Sequence, residues 1–326
     1  MKCTNKKFRT ISALLLSACL GLTGCGNTKY TMAYDINNDV SSFQLFNMAE
    51  AEAATPFASS LCVASGDTGT SSLSLDEVGA AALFDTKNLK TVYAKNVNQQ
   101  LYPASLTKVM TALVALKYGT PDQLLTASDN VIITESGAQL CGLKPGDKMT
   151  LDQALHILLI YSANDVAVLI AEGIGGSVDS FVEMMNEEAA SIGATNCHFM
   201  NPNGLTQDDH YVTTYDLYLI FQEAMKYELF NQIIQMTSYS TTYMDSLGAE
   251  KTLDIQATNL FLRGDYTAPS NITVIGGKTG TTNAAGHCLI LLSRNSNGTP
   301  YISVILKDTS RENLYQDMTS LLELAQ

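Results

Sequence analysis

The stretch YPASLTKVMTAL, Tyr102 to Leu113, puts a serine and a lysine three residues apart at the head of an apolar, helix-periodic run. Pro103 stands where a helix can begin and Tyr118-Gly119 supplies a stop, so the pattern predicts a helix from about Ser105 to Lys117. Positions i and i+3 share a helix face, which brings Ser105 Oγ within hydrogen-bond reach of the Lys108 amine. A serine hydroxyl is a weak nucleophile until a base takes its proton. A lysine can be that base only when burial or a second cation keeps it neutral. Chance also supplies Ser-x-x-Lys often, and the same residues read as a helix start with Ser105 as its cap and a solvated lysine.

Working outward, TLDQALHILLIYSANDVAVLIAEGIGG (Thr150 to Gly176) holds two helical runs, broken or bent around Ser162, with Asn164 two positions on. Further along, GGKTGTT (Gly276 to Thr282) places Lys278-Thr279-Gly280 at the end of a strand. A strand-borne Lys-Thr-Gly can lie beside an extended peptide while Lys278 and Thr279 face a carboxylate and Gly280 leaves room for the approach. Each motif alone is weak, whereas the ordered trio, each in a sensible local setting, is specific.

The rest of the pattern supplies a frame. VGAAALFD (Val78 to Asp85) and TVYAKN (Thr91 to Asn96) read as strands, and helices are expected near residues 177–192 and 214–227. ITVIGGKTG, AGHCLILLSRN and PYISVILKD are strand-like, and RENLYQDMTSLLELA closes as a helix. The expectation is an α+β fold: an antiparallel sheet built from both chain ends and covered by helices, with a mostly helical subdomain between.

The set Ser-x-x-Lys, Ser-x-Asn, Lys-Thr-Gly resembles that of the penicillin-recognising serine enzymes. The stretches YPASLTKVMTAL, LLIYSANDVAVLIAE, FVEMMNEEAASIGATNCHFMNPNGL and GGKTGTTNAAGHCLILL are similar to one branch, the D-alanyl-D-alanine carboxypeptidases among low-molecular-mass penicillin-binding proteins. The likeness runs from about Val78 to the C-terminus and implies a β-lactamase/transpeptidase-like fold. It implies that Ser105 attacks the penultimate D-alanine carbonyl of a peptidoglycan stem peptide, with Lys108 as general base. Ser162 and Lys278 would pass the proton to the departing D-alanine, and the charge of Lys278 would help keep Lys108 neutral. Asn164 would hold the substrate backbone, while Thr279 and Thr281 would meet the terminal carboxylate or peptide. The N–H groups of Ser105 and Thr281 would form the oxyanion hole. β-Lactams would acylate the same serine. Two departures stand out: Thr281 where some relatives have histidine, and Thr258 before Asn259 where some have arginine. A D,D-endopeptidase would use the same residues. A β-lactamase would add a Glu-x-x-Leu-Asn loop, which finds no match between Ser162 and Lys278; a penicillin-binding sensor is the reading from outside the enzymes.

The N-terminus pairs the basic MKCTNKKFR with the apolar TISALLLSACLGL, a signal-peptide pattern over residues 1–24. Leu22-Thr23-Gly24-Cys25 resembles the bacterial lipobox, implying a lipid on Cys25 that tethers an exported protein to the outer face of a bacterial membrane; an ordinary signal with Cys25 incidental is the alternative. Residues 25–77 read as a flexible linker, or as a small packed extension, and 78–326 as the catalytic domain. The 32 acidic residues outnumber 19 basic ones, a surface that repels nucleic acid. Cys62, Cys141, Cys197 and Cys288 match no zinc spacing and read as buried free thiols. His156, His198, His210 and His287 are scattered, so no metal and no cofactor is expected. Asp165 and Asp216 read as structural carboxylates, and Asn201 to Leu205 (NPNGL) as a turn.

Overall fold

Six consecutive buried residues form strand β1 (Ala80–Asp85). Ala80, Ala82 and Phe84 join one apolar core, and Ala81 and Leu83 join another on the opposite face. A strand covered on both faces shows no polar alternation, which is why the sequence reads as an unbroken apolar run. The computed structural model in which this is seen describes residues 58–69 and 73–326. The expected signal sequence, Cys25 and the expected linker up to residue 57 lie outside the described residues.

β1 turns back as β2 (Lys90–Lys95), and a 3-10 turn at Ala104–Leu106 leads into α1 (Thr107–Tyr118). Short strands β3 (Leu124–Thr126) and β4 (Lys148–Thr150) precede α2 (Leu151–His156), whose start is a capping box of Thr150 and Gln153. α2 runs into a π-helical turn at Ile157–Tyr161, and after Ser162 the chain resumes as α3 (Asn164–Gly175). Helices α4 (Val178–Ser191), α5 (Thr214–Ala224) and α6 (Glu228–Ile233) follow. Then come hairpin β5 (Ser238–Met244) and β6 (Glu250–Gln256), the single-turn α7 (Leu260–Arg263), and the strands β7 (Ile272–Thr282), β8 (Gly286–Asn295) and β9 (Pro300–Asp308). Helix α8 (Arg311–Leu322) ends the described chain's regular structure.

The five-stranded sheet has order β2-β1-β9-β8-β7 and is antiparallel throughout, so both chain ends build it as expected. α8 packs on its β8–β9 face, and α5 on the other face, where Phe84 stacks on Tyr218 at 4.2 Å. α1 is buried on every side from Thr107 to Ala115, the position of a helix at the centre of a large core. A second sheet, β3-β4-β5-β6, was not anticipated; it adds a strand layer to the mostly helical part. Asp216 caps α5 with Thr213, the structural role its sequence position implied.

The folded unit begins ahead of Val78. Residues 58–77, read as flexible linker or as a small packed extension, are anchored at particular positions, and the compact unit runs from Ala58. Cys62 is fully buried, donates its N–H to Tyr218 Oη and accepts from Tyr215 Oη, each at 2.9 Å. Thr68 pairs with Ala94 beyond β2, and Leu75 fills the second core. Their Ser- and Gly-rich text hides this, because a few separate anchors suffice to seat a segment that has no periodicity. Burial of Leu75 and Cys62 is worth roughly 3 kcal/mol together. A fragment starting at Ala58 is therefore expected to melt roughly 5–10 °C above one starting at Val78, measured by circular dichroism; equal melting temperatures would show the segment adds nothing.

Candidate active site

Ser105 lies in the 3-10 turn ahead of α1, and its side chain caps nothing: no side-chain cap hydrogen bond exists at either helix start. The expected capping role is therefore not the one it has. Ala104 before it sits at φ +48, the left-handed region that costs an alanine about 1–2 kcal/mol. Ser105 Oγ instead lies 3.0 Å from Lys108 Nζ, one helical turn on, as the i, i+3 spacing predicted.

Lys108 is wholly buried and, among the described residues, has no carboxylate partner. Its Nζ donates to Asn164 Oδ1 at 2.7 Å and to the Asn203 carbonyl at 2.5 Å. Burial first, then the nearby charge of Lys278, pushes its pKa well below that of an ordinary lysine, with Asp165 pulling the other way. A neutral amine has two N–H donors and one lone pair. The two carbonyl-type oxygens take both donors, so the lone pair is left for the Ser105 hydroxyl proton. NPNGL, read from sequence as a turn only, supplies one of those acceptors. It is also held to α1 by Thr111 Oγ1, which donates to Pro202 O at 2.6 Å. The text had been part of the family likeness, but a backbone carbonyl leaves no mark in a side-chain pattern.

Ser162 ends the π-helical turn at φ +69, again left-handed, and this break turns its hydroxyl toward β7. Lys278 Nζ donates to Ser162 Oγ and to Thr279 O, each at 2.8 Å. Burial alone pushes Lys278 down to about 7. The two lysine–serine pairs thus come from three distant stretches of chain. Thr279 Oγ1 lies 2.5 Å from Thr258 Oγ1, and Thr281 Oγ1 lies 3.2 Å from His287 Nδ1. The close approach at Gly280 is to the serine turn itself: a Cβ there would stand 2.9 Å from the Ser105 nitrogen.

β7 is the edge strand of its sheet, and Thr279 to Asn283 form one wall of a groove of about 460 Å³ with Ser105, Ser162 and Asn164. Glu135 to Gln139 also line it, and the chain just beyond is held by Asp165, whose carboxylate accepts the N–H groups of Cys141, Gly142 and Leu143 at 3.1, 2.8 and 3.0 Å. Gln139 O accepts the N–H of Asn164 at 2.8 Å, tying that segment to the site. Arg263 and Arg311 also line the groove. Neither was singled out from the sequence, because an arginine ending one helix and another opening a distant one carry no shared spacing. Arg311 lies close enough to His287 that its charge, after burial, lowers the imidazole pKa.

The family profile described as D-alanyl-D-alanine carboxypeptidase matches residues 70–310. The chain is 34% identical over 255 residues to D-alanyl-D-alanine carboxypeptidase DacF of Bacillus subtilis, covering 76% of this chain and 62% of that protein. It therefore spans less than two thirds of that relative. It is 29% identical over 248 residues to a D-alanyl-D-alanine endopeptidase of Pseudomonas aeruginosa, covering 74% of this chain and 75% of the relative. The crystal structure of the Streptomyces K15 DD-transpeptidase superposes with a TM-score of 0.71 at 26% identity, covering 78% of this chain and 98% of that one. The fold is that of the penicillin-binding, β-lactamase-like class, as the motif set implied.

Lys278 has a signature in stability. Its folded pKa of about 7 lies below the unfolded value near 10.5, so between these the unfolded chain holds the extra proton. This group therefore makes stability rise with pH above about 7, by up to about 1.4 kcal/mol per pH unit. Lys278→Met is expected to flatten that rise in urea titrations from pH 6 to 9; an unchanged slope would place the lysine's pKa elsewhere.

Proposed function

The chain belongs to the D-alanyl-D-alanine carboxypeptidase family, and we propose that it is itself a serine-type carboxypeptidase that removes the terminal D-alanine from peptidoglycan stem peptides. The observation that carries this is the buried Lys108 amine, 3.0 Å from Ser105 Oγ and held there by Asn164 Oδ1 and the Asn203 carbonyl. The substrate lies extended along β7, with its terminal carboxylate toward Thr279, Lys278 and the two groove arginines. Asn164 Oδ1 is taken by Lys108, so its amide N–H₂ is the group that meets a substrate carbonyl.

Ser105 Oγ attacks the penultimate carbonyl as its proton passes to Lys108. The Ser105 and Thr281 N–H groups receive the oxyanion, each worth about 3 kcal/mol in the transition state. Ser162, polarised by Lys278, delivers a proton to the leaving D-alanine nitrogen. Water then releases the shortened peptide from the acyl-enzyme and returns Ser105. A β-lactam would acylate Ser105 by the same route. The lipobox-like Leu22 to Cys25 supports an extracytoplasmic, lipid-tethered protein. Among the described residues no helix is long and apolar enough to cross a membrane. The endopeptidase relative supports a second reading, in which the same residues cleave a cross-link.

The full-length protein in detergent is expected to release D-alanine from diacetyl-Lys-D-Ala-D-Ala, and Ser105→Ala to release none. Penicillin labelling of Ser105 without release from that tripeptide, but with cleavage of cross-linked muropeptides, would replace the carboxypeptidase by the endopeptidase. Cys25→Ser is expected to move the protein from the membrane to the soluble fraction. Its continued sedimentation with membranes would rule out the lipid tether.

A further inference from the structure

His210 is buried nine positions beyond the start of the NPNGL segment and takes no part in the steps above, yet it lies behind the turn that carries Ser105. Its Nε2 is 2.9 Å from Thr107 Oγ1, and its Nδ1 accepts the Met200 N–H at 3.3 Å. With Nδ1 an acceptor, the ring proton is on Nε2 and donates to Thr107. The Thr107 hydroxyl in turn donates to the Ala104 carbonyl at 2.9 Å. The polarity of the chain is thus settled from end to end: Met200 N–H, His210, Thr107, Ala104 C=O.

Ala104 C=O and Ser105 N–H belong to one peptide unit, and no peptide here is cis. Across a planar trans peptide the carbonyl and the N–H point in opposite directions. Whatever holds the Ala104 oxygen on the core side therefore holds the Ser105 N–H toward the groove. The carbonyl also accepts the Thr107 backbone N–H, and Gly204 approaches it so closely that a Cβ there would lie 1.8 Å away.

We propose that His210 and Thr107 are positioning residues that aim the Ser105 N–H at the oxyanion of the acyl transfer, acting through the Ala104 carbonyl. The proposal rests on the carboxypeptidase reading above and deepens it. Neither side chain touches the substrate; each fixes an angle. A hydrogen bond accepted by a peptide carbonyl also polarises the N–H of the same unit, which strengthens that donor. Burial, with smaller contributions from His198 and Lys108, pushes His210 down to about 4, so the imidazole stays neutral and the chain keeps its polarity at neutral pH. Phe199 packs edge-on to the ring at 5.7 Å and fixes its plane.

The test uses the full-length protein and two substitutions that break the chain, Thr107→Val, which keeps shape, and His210→Ala. Each is expected to lower kcat for D-alanine release roughly 10- to 100-fold with KM changed less than roughly 3-fold, a part of the loss seen when an oxyanion donor is removed outright. A peptide boronic acid, whose adduct with Ser105 places an oxygen in the oxyanion position, is expected to bind more weakly in the same proportion. Thr107→Ser restores the donor and is expected to recover most of the rate, and the double variant to be no slower than the worse single one. If His210→Ala does not fold, the near-isosteric Thr107→Val decides alone. Folded variants with wild-type kcat and wild-type boronate affinity, or a loss confined to KM, would overturn the proposal while leaving the function standing. A wild-type protein that neither releases D-alanine nor is acylated at Ser105 by a fluorescent penicillin would overturn the functional reading and this proposal with it.

Discussion

A lysine amine enclosed in the core, with no carboxylate among the described residues to pair it, is the constraint around which the site is arranged. An isolated buried ammonium is costly enough that the group lowers its pKa and gives up its proton. Lys108 is in that position, and its hydrogen-bonding partners make the neutral form geometrically complete. Placing them requires α1, the bend before α3 and the NPNGL segment to converge on one atom. Lys278 repeats the scheme at the other serine, with its own two acceptors and its pKa pushed down by burial.

Backbone strain accompanies both serines. Ala104 before Ser105, and Ser162 itself, occupy the left-handed region that non-glycine residues avoid. In each case a helical irregularity creates the position: a 3-10 turn ahead of α1, and a π-helical turn ahead of Ser162. An ordinary α-helix would keep either hydroxyl on a helical surface, with its peptide N–H groups committed to the helix or its cap. The strained turns leave the side chains projecting into a groove instead. Large buried cores on both sides of the main sheet make such local costs tolerable, because they are small beside the burial that holds the elements in place.

The elements most visible beforehand were those whose pattern and environment agree. β1, β8 and β9 are covered on both faces and read as apolar runs; α1 starts and stops at recognisable signals. The hairpin β5–β6 escaped notice because only Tyr243 and Ile255 of its fourteen residues are buried, and the inward positions of its alternation include the polar Thr241 and Lys251. The packed segment around Cys62 escaped for the related reason that a few separate contacts, rather than a period, seat it. Ser105 as a cap failed because a 3-10 turn, with its own hydrogen bonds, precedes the helix.

The sequence by itself determined the motif set and the frame: Ser105 with Lys108, Ser162 with Asn164, Lys278 through Thr281, and a sheet drawn from both chain ends. These are legible because each motif is local, and a local spacing translates directly into a shared helix face or strand. Tertiary structure alone decided that Lys278 meets Ser162 across 116 residues, that the Asn203 carbonyl completes Lys108, and that Arg263 and Arg311 share a groove. It also decided that His210 stands behind the turn that carries Ser105. Those contacts join residues whose separation carries no periodicity, and several run through backbone carbonyls. Every residue has a carbonyl, so only the path of the folded chain says which ones matter.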